Sequence, residues 1–181
     1  MARIGIYGGS FNPIHFGHIG LVRWITEHTD LDEVWMMVSP NNPLKDSSVL
    51  VDEQVRLEEV KRVVQDIPHV KVSDFEFALP RPSYTANTLR ELQRAYPTDE
   101  FTLIIGEDNW TIFNRWREWE YILENFRIMV YPRHGETEGN SIRYEGQGDT
   151  RVLFLSQAPY YDISSTQLRA QMPTKTQNAN K

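Results

Sequence analysis

Two histidines spaced by three, His15 and His18, close a turn that runs Gly8-Gly9-Ser10-Phe11-Asn12-Pro13-Ile14. An imidazole donates a hydrogen bond from a ring N–H, so two of them in one turn suit the oxygens of a phosphate. Gly8 and Gly9 let backbone N–H groups come close to such a ligand, and a helix starting near Gly17 and His18 adds a field that favours anions. The stretch predicts a phosphate site of Gly8, Gly9, Ser10, Phe11, His15 and His18. A second candidate is Ile163-Ser164-Ser165-Thr166-Gln167-Leu168-Arg169 near the other end. Ser164 and Gln167 fit a capping box, which by itself means only a helix start. A capped N-terminus also attracts anions, and the hydroxyls of Ser165 and Thr166 with the forked cation of Arg169 would add donors for a polyphosphate.

Neighbouring chemistries fit less well. A metal site at the histidine pair lacks a third ligand, and the chain has no cysteine and no H-E-x-x-H. A dinucleotide fingerprint needs G-x-G-x-x-G at this turn, and a P-loop needs G-x-x-x-x-G-K-[ST]; neither is present.

The elements that position these residues alternate. Arg3 to Tyr7 is an apolar strand, followed by an amphipathic helix with Leu21, Val22, Trp24 and Ile25 at helical spacing. Glu33 to Val38 reads as a buried strand, Asp52 to Gln65 as a helix with Leu57, Val60 and Val64 on one face, and His69 to Ser73 as a short strand. Ser83 to Tyr96 reads as a helix with Leu89, Leu92 and Tyr96 inward; Phe101 to Ile105, Phe126 to Tyr131 and Val152 to Leu155 read as further strands. This predicts an α/β fold, Rossmann-like and doubly wound, with a mostly parallel sheet and helices on both faces. Ligands then bind beyond the carboxyl ends of the strands. One domain over 1–172 is expected, with 173–181 a polar tail and 134–150 an exposed loop.

Composition narrows the function class. At 181 residues, 40% hydrophobic and 24% charged, the chain is that of an ordinary globular protein. No run approaches the ~20 apolar residues that span a bilayer, and no signal-peptide pattern opens the chain, so a cytoplasmic protein without a membrane partner is expected. A net charge of -6 argues against a broad nucleic-acid-binding face. A homo-oligomer is allowed.

The H-x-G-H of His15 to His18 and the I-S-S-T-x-x-R of Ile163 to Arg169 together resemble the nucleotidylyltransferase superfamily. Three internal segments, Pro82-Ser83-Tyr84-Thr85, Ile104-Ile105-Gly106-Glu107-Asp108 and the following Trp116, are similar to those of bacterial nicotinate mononucleotide adenylyltransferases. The resemblance runs from about Arg3 to Arg169. It implies that the chain transfers the adenylyl group of ATP to nicotinate mononucleotide in NAD biosynthesis. Alternatives are a phosphopantetheine adenylyltransferase, which shares both end motifs without needing a ring clamp, and a nucleotide-binding protein without turnover. The resemblance implies catalytic roles for His18, His15 and Lys45, and an ATP site of the glycine turn, both histidines, Gly106, Asp108, Ile163, Ser164, Ser165, Thr166 and Arg169. Trp116 would stack on the pyridine ring, while Thr85 and the backbone N–H groups around Trp116 and Arg117 would hold its carboxylate, with Tyr84 nearby. In the loop Pro40 to Lys45, Asn41 and Lys45 would meet the mononucleotide, and Leu44 stands where the family has a histidine. Mg²⁺ would be carried by the ATP phosphates, with no protein metal site.

Overall fold

The computed structural model describes residues 1–41, 50–133, 151–159 and 168. Six strands form one parallel sheet: β1 (Arg3–Gly9), β2 (Glu33–Val38), β3 (Val70–Ser73), β4 (Glu100–Gly106), β5 (Arg127–Tyr131) and β6 (Val152–Phe154). Their order is 3-2-1-4-5-6. The chain leaves β1 toward β2 on one side and returns to β4 on the other, so the switch point lies between β1 and β4, where this topology opens a crevice.

Alternation along the strands sends side chains to two cores. Tyr7, Val34, Met36 and Ile104 face α1 (Phe16–His28) and α2 (Glu53–Val64), which contribute Leu21, Val22, Ile25, Leu57, Val60 and Val64. Ile4, Ile6, Phe101, Leu103 and Ile105 face α3 (Thr85–Ala95), α4 (Glu107–Thr111) and α5 (Trp119–Asn125), through Leu89, Leu92, Trp110 and Ile122. Gly5 lets this packing close: a Cβ there would lie 2.6 Å from Ile104 Cδ1 and 2.7 Å from Leu31 Cδ1. Asp52 caps α2 by accepting from the N–H groups of Gln54 and Val55.

The amino edge of the sheet is tied by charge. Asp30 accepts two hydrogen bonds from Arg127, at 2.9 and 2.7 Å, and one from Arg3 at 3.0 Å, while Arg127 Nε donates to Thr102 Oγ1. The carboxyl edge is thereby left for the ligand.

Departures from the sequence expectation are local. Tyr96, expected inward, is 40% exposed because α3 ends at Ala95 and Tyr96 leaves the helical spacing; its ring instead meets the edge of Trp35. Trp24 is only partly buried and stacks on His28. Among the described residues no helix is long and apolar enough to cross a membrane. The expected boundary at 172/173 and the loop 134–150 lie outside the described residues.

Candidate active site

The turn after β1 uses its histidines twice. His15 is the N-cap of α1, and its Nδ1 accepts the N–H of Gly17 at 3.1 Å; His18 Nδ1 accepts the N–H of His15, also at 3.1 Å. This is a reciprocal capping box made from two imidazoles instead of a hydroxyl and a carboxylate. Because each Nδ1 is an acceptor, each ring carries its proton on Nε2 and keeps that N–H as a donor. The rings stack 3.7 Å apart, so the two donors are fixed side by side. Phe11, buried in a left-handed conformation with φ 47°, sets its ring edge-on to His18 at 5.0 Å.

Both imidazoles are held neutral. Burial lowers the pKa of His18 to about 3, helped by His15 and by the Arg133 guanidinium; His15 is lowered by burial and then by Arg133. The unfolded chain binds a proton at His18 near pH 6.5 and the folded chain does not, so His18's contribution is intact above pH 6.5 and is lost as pH falls from 6.5 toward 3. Acidifying from pH 7 to pH 5 should cost about 2 kcal/mol through His18, with His15 adding in the same direction. Urea midpoints at the two pH values test this, and an equal fall in midpoint from pH 7 to pH 5 in the protein and its His18→Asn variant would contradict it.

Beneath the turn lies a charge that the sequence reading passed over. Arg56, only 2% exposed, donates to the carbonyls of Ser10 (2.7 Å), Ser39 (2.8 Å) and Val51 (2.8 Å) and to Asn41 Oδ1 (2.7 Å). It thus joins the segments that follow β1 and β2 to the approach to α2. Asn41 is held a second time, its N–H donating to Glu53, which pairs with both terminal nitrogens of Arg81. Arg56 shares the i, i+4, i+8 stripe with Val60 and Val64, and an arginine on an apolar helical face was the signal that could have revealed it.

At the switch point a cleft of about 540 Å³ opens between the ends of β1 and β4. Gly8, Gly9, Ser10 and Gly106 line it, with Thr85 and Trp116 at the far end. A Cβ on Gly8 would meet nothing nearer than 4.0 Å, so its glycine leaves the cleft wall low and not merely the packing satisfied. Trp116 is partly buried against Phe113, at 5.4 Å between rings, which in turn stacks on Trp110. The N–H of Trp116 donates to the Phe113 carbonyl, so it is committed within its own turn. By contrast α3 begins at Thr85 with no side-chain cap, and its first-turn N–H groups form a second anion-favouring end at this wall. Glu76 and Ser83 complete the wall. Thr88 Oγ1 donates to Glu76 at 2.7 Å, burial raises the Glu76 carboxyl above its ordinary pKa, and Ser83 Oγ is buried without a hydrogen-bond partner among the described residues.

Other expected residues stand apart from this cleft. Tyr84 and Arg117 line a separate shallow groove, the guanidinium lying 4.7 Å over the Tyr84 ring. Asp108 turns toward Arg133, with Nε to Oδ1 at 3.5 Å. Lys45, Ile163, Ser164, Ser165, Thr166 and Arg169 lie outside the described residues.

A parallel 3-2-1-4-5-6 sheet with stacked, backbone-anchored histidines beyond its first strand defines a nucleotidyltransferase, and the sequence model of the cytidylyltransferase-like family matches residues 6–171. A relative named a probable nicotinate-nucleotide adenylyltransferase, from Bacteroides fragilis, is 45% identical over 172 residues, covering 95% of this chain and 83% of the relative. A protein of the same name from Flavobacterium johnsoniae is 45% identical over 167 residues, covering 92% and 84%. The fold is similar to that of the Plasmodium falciparum nicotinic acid mononucleotide adenylyltransferase complexed with NaAD, with TM-score 0.76 at 18% identity over 94% of this chain and 83% of that one. The chain belongs to the nicotinate-nucleotide adenylyltransferase family of cytidylyltransferase-like proteins.

Proposed function

We infer that this protein transfers the adenylyl group of ATP to nicotinate mononucleotide, releasing pyrophosphate and forming nicotinate adenine dinucleotide. The observation that carries the reading is the pairing of two neutral Nε2–H donors at the end of β1 with an aromatic-walled, amide-ended pocket across the switch point. A phosphate oxygen of the mononucleotide attacks the α-phosphorus of ATP in line; the bond to the β-phosphate oxygen breaks and pyrophosphate leaves. The nucleophile is already ionised near neutral pH, so the protein needs no general base. Catalysis is positioning and charge neutralisation.

His18 and His15 donate to the oxygens around the α-phosphorus, with Lys45 and Arg169 sharing the charge of the phosphates and Ile163 to Thr166 closing on the leaving group. Gly106 lines the adenosine side, and Asp108 stands beside it against Arg133. Trp116 stacks on the pyridine ring, and its carboxylate meets Thr85 and the first turn of α3, since a flat anion needs one aromatic face and fixed N–H donors. Mg²⁺ would be carried by the ATP phosphates, whose oxygens with water are the hard ligands it prefers. The histidines do not compete for it, because both ring nitrogens of each are used as an acceptor from backbone and a protonated donor. The setting is the cytoplasm, in keeping with a chain without cysteine.

Pyrophosphate release with ATP and each of nicotinate mononucleotide, nicotinamide mononucleotide and phosphopantetheine tests the reading; preference for either of the last two would overturn it. Trp116→Ala should raise KM for nicotinate mononucleotide about tenfold or more and leave that for ATP within about twofold, since a lost aromatic stack is worth ~1–3 kcal/mol. Its contact with Phe113 also predicts a lower Tm. A lower Tm with both KM values moved alike would make Trp116 a packing residue only.

A further inference from the structure

Arg133 follows β5 by two residues, beyond the carboxyl edge of the sheet, and no motif of the sequence drew attention to it. Its stem lies across the end of β4: a Cβ on Gly106 would come within 2.6 Å of Arg133 Cγ and 3.0 Å of Cδ. Its guanidinium reaches Asp108 at 3.5 Å, longer than a good hydrogen bond, and the two side chains are 34% and 42% exposed. On its other side is a row of rings. Tyr131 packs edge-on to Tyr7 at 5.9 Å, and Tyr7 stands 6.2 Å from His18. We propose that Arg133 is a further ATP-binding residue, a loosely tethered guanidinium above the switch point that pairs with the triphosphate beside the two histidines.

This rests on the adenylyl-transfer reading and extends its ATP half. Three features support it. The carboxylate gives up little when the guanidinium moves, because an exposed pair is worth ~0–1 kcal/mol, and the second tether, a hydrogen bond with the Tyr131 side chain, is one that a phosphate oxygen would replace. A fork of N–H donors matches phosphate oxygens in a way that a point charge does not. The field of Arg133 already reaches the atoms at which phosphate would sit: it lowers the pKa of both His15 and His18, and acts on Tyr7 and Tyr131 as well. With Asp108, these are the titratable groups that face it. A triphosphate placed between Arg133 and the histidines would relieve the repulsion that the cation exerts on them.

Calorimetric titration of the whole protein with ATP, inorganic tripolyphosphate and nicotinate mononucleotide, each alone, tests the proposal in the parent and in Arg133→Gln. Both ATP and tripolyphosphate should weaken about tenfold or more, and the mononucleotide by less than about twofold. Arg133→Lys should recover part of the tripolyphosphate affinity. In ligand-free Arg133→Gln, imidazole nitrogen NMR should find the His15 and His18 titrations moved upward. Three results would overturn the proposal: tripolyphosphate bound as by the parent, which includes a loss confined to ATP and so a contact with the base; an equal loss for all three ligands; or unmoved histidine titrations. If the parent binds as expected but releases no pyrophosphate with nicotinate mononucleotide, the adenylyl-transfer reading fails while the assignment of Arg133 stands.

Discussion

His18→Ala is expected to lower kcat by about 10²-fold or more, because a donor fixed on developing charge is worth ~3 kcal/mol in the transition state. The ring is fixed in the required sense. Its Nδ1 is taken by the N–H of His15, its proton is therefore on Nε2, and His15 on one face with Phe11 at its edge holds the plane. A side chain so positioned needs no reorganisation when charge shifts onto the α-phosphate. The same substitution removes half of the helix cap, which costs about 1 kcal/mol and lowers Tm by roughly 2–4 °C. His18→Asn separates the two effects, since a short amide oxygen can accept the His15 N–H without reaching the ligand. It should recover Tm and stay slow. Turnover by His18→Ala at the parent rate would remove His18 from the reaction.

The second large effect is on the fold beneath the site. Arg56→Met should destabilise the protein by about 3–5 kcal/mol, since four hydrogen bonds from a buried guanidinium, each worth ~1.5–3 kcal/mol, are lost and only part of that is offset by no longer burying the charge, and should lower Tm by roughly 6–20 °C. The methionine fills most of the volume but removes the donors of the Ser10, Ser39 and Val51 carbonyls and of Asn41 Oδ1, and Ser10 and Ser39 line the cleft. Two of these carbonyls belong to the segments that follow β1 and β2, so KM for both substrates should rise together. Arg56→Lys should recover little, since one ammonium cannot reach acceptors spread over three segments. A parent-like Tm for Arg56→Met would show that the network contributes nothing net.

The frame and the phosphate turn were legible because they depend on local pattern. Glu33 to Val38 coincides with β2, and Leu57, Val60 and Val64 are buried as their spacing requires. His15 and His18 could be named from type and position. Their mutual capping could not, since it depends on Nδ1 of each ring meeting a particular backbone N–H. α4 and α5, five and seven residues long, were missed: neither is long enough to display a helical period, and Trp110 is buried through tertiary packing on Phe113. Arg56, Glu76 and Arg133 were missed for a related reason. A charged residue reads as surface until the chain is folded, and only the partners supplied by distant segments turn it into an anchor, a wall or a tether.

The pairing of β1 with β4 joins positions 97 apart in sequence, Arg3 with Glu100, and Tyr7 with Ile104 near the cleft. Neither half of the chain builds this cleft alone: Gly8, Gly9, Ser10 and Thr85 come from the first hundred residues, Gly106 and Trp116 from those that follow. The cleft is therefore a product of the slowest kind of contact to form, one whose loop must close before any ligand can reward it. A nucleotide bridging the seam binds the docked halves and not the separated ones, so its whole binding free energy opposes their parting. In a living cell the substrate would then act as the last fastener of the fold that uses it.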